Sequence, residues 1–158
     1  MRLDIGCGGT RYAFAPAIQG NDVVYADLEP RAQTEGRFVR CDAQRMPFRD
    51  ACMTEVSASH VIEHVESPRL LLLECHRILE HGGILKLKTP NFLSENARKD
   101  PGHRHFFNFF TLDRLLKDCG FQRSFRLNIM TQFRPLELAL SLLILPFLNE
   151  LDVTAKRA

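Results

Sequence analysis

The segment Leu3-Asp4-Ile5-Gly6-Cys7-Gly8-Gly9-Thr10 constrains this chain more than any other, because a short apolar run breaks there into a glycine turn. Glycine accepts the dihedrals of a tight turn and lets the main chain approach a ligand closely. A turn of this kind, with a helix N-terminus behind it, is the opening of an α/β sheet that binds a ligand at its carboxyl edge. Leu3–Ile5 is the strand stub. A short helix is expected near Tyr12–Ile18, limited by Pro16, since proline inside a helix removes a hydrogen bond and crowds the preceding turn.

The rest of the chain continues the alternation. Val23–Ala26 is a β-branched, apolar run ended by Asp27 and predicts a buried strand. Phe38–Cys41, ended by Asp42, predicts a third strand and Glu55–Ser59 a fourth. Ser67-Pro68 is a good cap and first turn for a helix over Arg69–Glu80, stopped by His81-Gly82-Gly83. Ile84–Thr89 predicts a fifth strand, Thr111 caps a helix running to Cys119 and ended by Gly120, and Phe121–Met130 predicts a sixth strand. Strands separated by helices imply a mostly parallel central sheet in a Rossmann-like three-layer sandwich. With 158 residues, 45% hydrophobic and 25% charged, the chain reads as one domain. Residues 1–130 form its body, and 131–158 form an apolar C-terminal helical segment packed on it or on a partner.

Composition narrows the partners. A formal charge of +2 with scattered Lys and Arg gives no electrostatic signature of nucleic acid or of an anionic membrane. Five cysteines without a CxxC pair read as reduced thiols and imply a cytoplasmic protein. No signal peptide is expected, because the first residues already belong to a strand. Leu136–Leu148 is strongly apolar but falls short of the roughly 20 residues of a membrane-spanning helix. A helix apolar on all sides must be buried, so a homodimer formed through Leu136–Leu148 is expected.

The acids carry the chemistry. Asp27 lies 21 positions after Gly6, the spacing at which a carboxylate at the end of a second strand receives ribose hydroxyls. Asp42 ends the third strand, where it can accept from an adenine amino group. The dinucleotide fingerprint GxGxxG would need glycine where this chain has Arg11. Asp4, two residues before the turn, would repel a pyrophosphate but favour a ligand with a sulfonium and an ammonium. The plainer alternative is that Asp4, Asp27 and Asp42 only cap strand ends.

On these motifs the chain resembles the class I S-adenosylmethionine-dependent methyltransferases, and within them the methyltransferase type 11-like group. The resemblance runs from Leu3 to Phe121: LDIGCGG, YADLEP, RCDAQRMPF, SASHVIEHVESP and HRILEHGGILKLKTPN are similar to successive family segments. It implies S-adenosylmethionine as cofactor and S-adenosylhomocysteine as product. Gly6, Cys7 and Gly8 would lie around the methionine part, with Asp4 before them. Asp27 would sit on the ribose and Leu28 beside the adenine, with Asp42 and Ala43 at the adenine amine. Ser59 and His60 would border the methyl-transfer site. Thr10 replaces a frequent third glycine, and the family's N-terminal helix before Asp4 is expected to be missing and the C-terminal hairpin to be reduced or altered.

Two further clusters bear on catalysis. His60-Val61-Ile62-Glu63-His64 spells HxxEH, a signature in which two His on one helical face hold zinc. A zinc hydrolase is therefore an alternative, weakened by the absence of an obvious third ligand. His103 and His105 lie in the loop after the fifth strand, and with His60 they are the candidates for a proton-accepting group. A structural role for these histidines is the competing reading. Methyl transfer from a sulfonium needs mostly in-line positioning, so no metal is expected. The reading is a methyltransferase acting on an O, N or C nucleophile of a small-molecule acceptor. Its alternative is a non-catalytic cofactor-binding remnant or regulatory subunit.

Overall fold

The computed structural model describes residues 1–7, 18–29, 37–124 and 150–158. Ten elements are assigned in it: β1 (Arg2–Ile5), β2 (Val23–Asp27), β3 (Arg37–Arg40), β4 (Met53–Ser59), α1 (Pro68–Ile78), β5 (Leu79–Pro90), α2 (Glu95–Lys99), α3 (Phe109–Asp118), β6 (Phe121–Ser124) and β7 (Glu150–Arg157). The strands make one sheet in the order β3-β2-β1-β4-β5-β7-β6. β1 to β5 are parallel to one another, and β7 runs antiparallel to both β5 and β6. The mostly parallel α/β sheet expected from the alternation is what forms. One face of its central strands is apolar: Leu3, Val24, Ala26, Val56, Ala58, Leu85 and Leu87 share it in register and are all buried, while the opposite face carries Asp4, Tyr25, Ser57 and Lys86.

Local signals set the helix boundaries. Ser67 caps α1 by accepting from the Leu70 N–H at 3.4 Å, with Pro68 in the first turn. The helix ends at Ile78, earlier than the glycines suggest, because Leu79 turns extended (ψ 142°) and pairs with Met53. Gly82 and Gly83 accordingly lie within β5 instead of stopping the helix. α3 is capped by Asn108, not Thr111. Asn108 Oδ1 accepts from Thr111 N–H and Thr111 Oγ1 accepts from Asn108 N–H, a reciprocal box that satisfies two otherwise orphaned donors. Gly120 ends that helix as expected, at φ +87°.

The C-terminal expectation needs correction. Residues 150–157 are a strand, β7, inserted between β5 and β6, so they belong to no helical segment and the sheet keeps its antiparallel hairpin strand. Alternation decides this: Leu151, Val153 and Ala155 are buried while Asp152 and Lys156 are exposed, a period of two that only a strand satisfies. Leu136–Leu148, and with it the expected dimer contact, lies outside the described residues, as do the Tyr12–Ala17 part of the predicted first helix and the sixth strand beyond Ser124. No helix among the described residues is long and apolar enough to cross a membrane.

Candidate functional site

In this strand order the chain passes from β1 outward through β2 to β3, then returns to β4 on the other side of β1. Open α/β sheets bind ligands in the crevice created at such a reversal, beyond the carboxyl ends of the strands. A cleft of about 560 Å³ lies there, a volume ordinary for a small-molecule or cofactor site. Ile5 and Gly6 end β1, Ala26 and Asp27 end β2, and Ser59 and His60 end β4, and all of them line it.

Seven of the residues assigned from the sequence meet in this cleft: Gly6, Asp27, Leu28, Asp42, Ala43, Ser59 and His60. Gly6 holds φ +75°, and its N–H donates to the Ala26 carbonyl at 2.8 Å, so the β1 turn is tied to the end of β2. Asp27 Oδ1 accepts from the Glu29 N–H at 3.2 Å. Asp42 Oδ1 accepts from the Gln44 N–H at 2.8 Å and from the Gln44 side-chain amide at 3.2 Å. These local turns fix where each carboxylate points. Leu28 stays 61% exposed at the cleft, an apolar surface of the kind a flat ring covers. Cys41 lines the same wall, and burial together with the carboxylates of Asp42 and Asp27 pushes its thiol pKa up.

Asp4 and Cys7 are placed differently. Asp4 is buried inside the sheet, in register with Tyr25 on one side and Ser57 on the other, and does not line the cleft. Cys7 is buried beneath the turn, its thiol 3.8 Å from the Ala26 carbonyl. Gly8 lies outside the described residues.

The HxxEH segment is not helical. Residues 62–64 form a turn and α1 begins only at Pro68, so His60 and His64 do not share a helix face. His60 adopts φ +56°, uncommon for a side-chain-bearing residue. Its ring lies between two carboxylates: Nδ1 is 3.3 Å from Glu63 Oε1 and Nε2 is 3.4 Å from Glu150 Oε1. Glu150 also pairs with Lys88 at 2.7 Å, and Glu63 accepts from Thr89 Oγ1 at 3.0 Å. His60 is thus braced by β5, β7 and the turn after β4. His103 and His105 do not reach the cleft. His103 Nδ1 donates to the Ala97 carbonyl at 2.8 Å, and His105 Nε2 donates to the Val65 and Glu66 carbonyls at 3.0 and 3.2 Å. Between them, Arg104 does line the cleft.

A family model described as "Methyltransferase domain" matches residues 3–87, more than half of the chain. This chain belongs to that family. A protein of Mycobacterium sp. strain JLS named "Uncharacterized methyltransferase" is 32% identical over 111 residues, covering 66% of this chain and 44% of its own. A Mycolicibacterium smegmatis protein named as a probable S-adenosylmethionine-dependent methyltransferase is 29% identical over 131 residues, covering 76% and 51%. The chain therefore spans about half the length of these curated relatives. Among solved structures, the 1,6-didemethyltoxoflavin-N1-methyltransferase of Burkholderia thailandensis, with bound S-adenosylhomocysteine, superposes with a TM-score of 0.66 at 19% identity. That match covers 99% of this chain and 70% of the other, and it shows the shared methyltransferase fold.

Within this methyltransferase domain, sequence reasoning missed several cleft residues. Gln44, Val61, His64 and Arg104 all line it. Val61 and His64 stood inside a motif already under scrutiny, and Gln44 two positions after Asp42. Glu150 had no local signal, since only the antiparallel insertion of β7 brings it to His60.

Proposed function

We propose that this domain binds S-adenosylmethionine in the cleft beyond β1, β2 and β4 and transfers its methyl group to an O, N or C nucleophile of a small-molecule acceptor. The observation that carries the reading is the convergence of Asp27, Asp42 and the Gly6 turn on one cleft. The names of the mycobacterial relatives and the S-adenosylhomocysteine bound by the Burkholderia enzyme support it.

The residues suit such a cofactor. Two carboxylates held by Asx-type turns offer acceptors to ribose hydroxyls and an adenine amine, and exposed Leu28 offers the ring an apolar wall. Gly6 brings bare main chain to the cleft. When bound, the cofactor supplies an electrophilic methyl group on a sulfonium. The chain's own contribution is to hold donor and acceptor in line, which accounts for several kcal/mol of barrier, up to about 7–11 in the best-oriented systems. His60 stands just past the end of β4 with its ring between Glu63 and Glu150, positioned to order an acceptor group at the cleft wall.

Calorimetry tests the reading directly. S-adenosylhomocysteine is expected to bind one per chain, while NAD produces no heat of binding. Tight NAD binding without a response to either form of the methyl donor would overturn it.

A further inference from the structure

The turn carrying Glu63 and His64 is clamped to the loop carrying His103. The N–H groups of Arg104 and His105 donate to the Glu63 carbonyl at 2.8 and 3.1 Å. This main-chain clamp brings one donor atom each from Glu63, His64 and His103 within 4.8 Å of one another. We propose that Glu63, His64 and His103 form a binding site for a divalent transition-metal ion of the zinc class.

The protonation pattern fits. His64 Nδ1 lies 3.0 Å from the Gly102 carbonyl, and His103 Nδ1 lies 2.8 Å from the Ala97 carbonyl. A carbonyl can only accept, so both rings carry their proton on Nδ1 when neutral and leave the Nε2 lone pair free. An imidazole fixed through one nitrogen by a backbone carbonyl and open at the other is the usual state of a metal-bound histidine. The third donor is a buried carboxylate. Glu63 is 1% exposed, and its Oε1 makes no hydrogen bond among the described residues, although His60 Nδ1 approaches it to 3.3 Å. A cation beside this oxygen would add to the single imidazole it now faces.

Two histidines and one carboxylate suit zinc or its neighbours better than magnesium, which prefers an all-oxygen shell. Metal–ligand bonds of about 2.0–2.2 Å put two ligands of one ion about 3–4 Å apart, so donors up to 4.8 Å apart must draw together to close on an ion. Asp100 Oδ2 stands 4.0 Å from His103 Nε2, too far for a hydrogen bond and near enough to serve as a fourth ligand. His64 lines the cleft whereas Glu63 and His103 do not, so the three donors stand at its edge. This differs from the HxxEH arrangement, in which His60 would be a ligand, and it departs from the expectation of a metal-free protein.

The test uses untagged full-length chain, stripped with a chelator and titrated with Co²⁺ and Zn²⁺. We expect saturation at one ion per chain, a visible Co²⁺ spectrum of low coordination number, and a rise in melting temperature with Zn²⁺. His64→Gln and His103→Gln should each weaken Co²⁺ binding at least tenfold, because losing even an outer partner of a ligand costs about 10–100-fold. His105→Gln, whose ring is committed to two carbonyls, should leave the affinity unchanged. Melting curves of the stripped variants identify any that fail to fold. His64→Gln, at an exposed position, is the variant least exposed to that failure. Absence of stoichiometric Co²⁺ binding by the wild type would overturn the proposal, as would binding that neither His64→Gln nor His103→Gln weakens. S-adenosylhomocysteine affinity, measured on the same samples, reports separately on the cofactor reading.

Discussion

Replacing Gly6 with alanine should damage both the fold and the cleft, and the damage divides into two parts that a second substitution can separate. Gly6 sits at φ +75°, where a residue with a Cβ pays about 1–2 kcal/mol. The added Cβ would also overlap Val61 Cγ2, with Val61 Cβ at 3.6 Å and Cγ1 at 3.9 Å, so a single methyl group is in the way. Val61 is β-branched and has few rotamers to escape into. Overpacking of this kind costs about 1–3 kcal/mol. Gly6→Ala alone is therefore expected to lose about 2–5 kcal/mol of unfolding free energy. In a Val61→Ala background the overlap is gone and only the dihedral cost of about 1–2 kcal/mol remains. The coupling in a double-mutant cycle should then be about 1–3 kcal/mol. Urea denaturation of the four proteins measures it. S-adenosylhomocysteine calorimetry should show the single Gly6→Ala variant binding more weakly than the double variant, since both residues line the cleft. An equal cost of Gly6→Ala in both backgrounds would refute the steric argument, and a neutral Gly6→Ala would refute both parts.

Further outcomes are expected at three other places. Asp27→Ala should weaken S-adenosylhomocysteine binding by about 1.5–3 kcal/mol, the value of hydrogen bonds to a charged group, and an unchanged dissociation constant would remove Asp27 from the ribose. Arg77 binds Glu74 through two nitrogens at 2.8 Å and also donates to the Met46 and Phe48 carbonyls, pinning the 46–50 loop to α1. Arg77→Leu should cost about 2–4 kcal/mol in urea denaturation, somewhat below the loss for a fully buried pair because both side chains stay partly exposed. Arg77, helped by the Met46 N–H, holds the Glu74 carboxyl pKa below the ordinary value. A lowered folded pKa stabilises above the unfolded value of about 4.3 and loses that stabilisation as pH falls through the folded one. Wild-type stability should therefore drop more steeply below about pH 4 than that of Glu74→Gln. Burial pushes the Cys75 thiol up to about 12, so native protein at pH 8 should leave Cys75 unalkylated by iodoacetamide until urea unfolds it, as peptide mapping would show.

Much of the site could be read from the chain because its parts are local. Gly6, Asp27 and Asp42 each stand at or just past the end of a parallel strand, and the pattern that makes those strands also delivers their ends to one edge. The histidines were harder. His60, His103 and His105 looked equivalent in sequence, yet only His60 lines the cleft, because carbonyls of Ala97, Val65 and Glu66 turn the other two rings away. No spacing rule anticipates a bond between a side chain and a carbonyl forty positions distant. Cap identity at α3 went astray for a smaller reason: Asn108 and Thr111 are both good caps, and only the geometry of their reciprocal bonds orders them.

The sequence by itself determined the alternation of strands and helices, the glycine turn after β1 and the acids beyond β2 and β3, since each depends on residues within a few positions of one another. Tertiary structure alone decided where β7 goes. Its eight residues alternate as any strand would, but their place between β5 and β6 comes from backbone pairing across more than sixty positions on one side and about thirty on the other. That pairing puts Glu150 against His60 and Lys88. It also decided that Asp4, which sequence reasoning set beside the ligand, is buried between Tyr25 and Ser57. A residue's face on a strand follows from its parity, but whether that face meets solvent, ligand or sheet depends on what other parts of the chain lay over it.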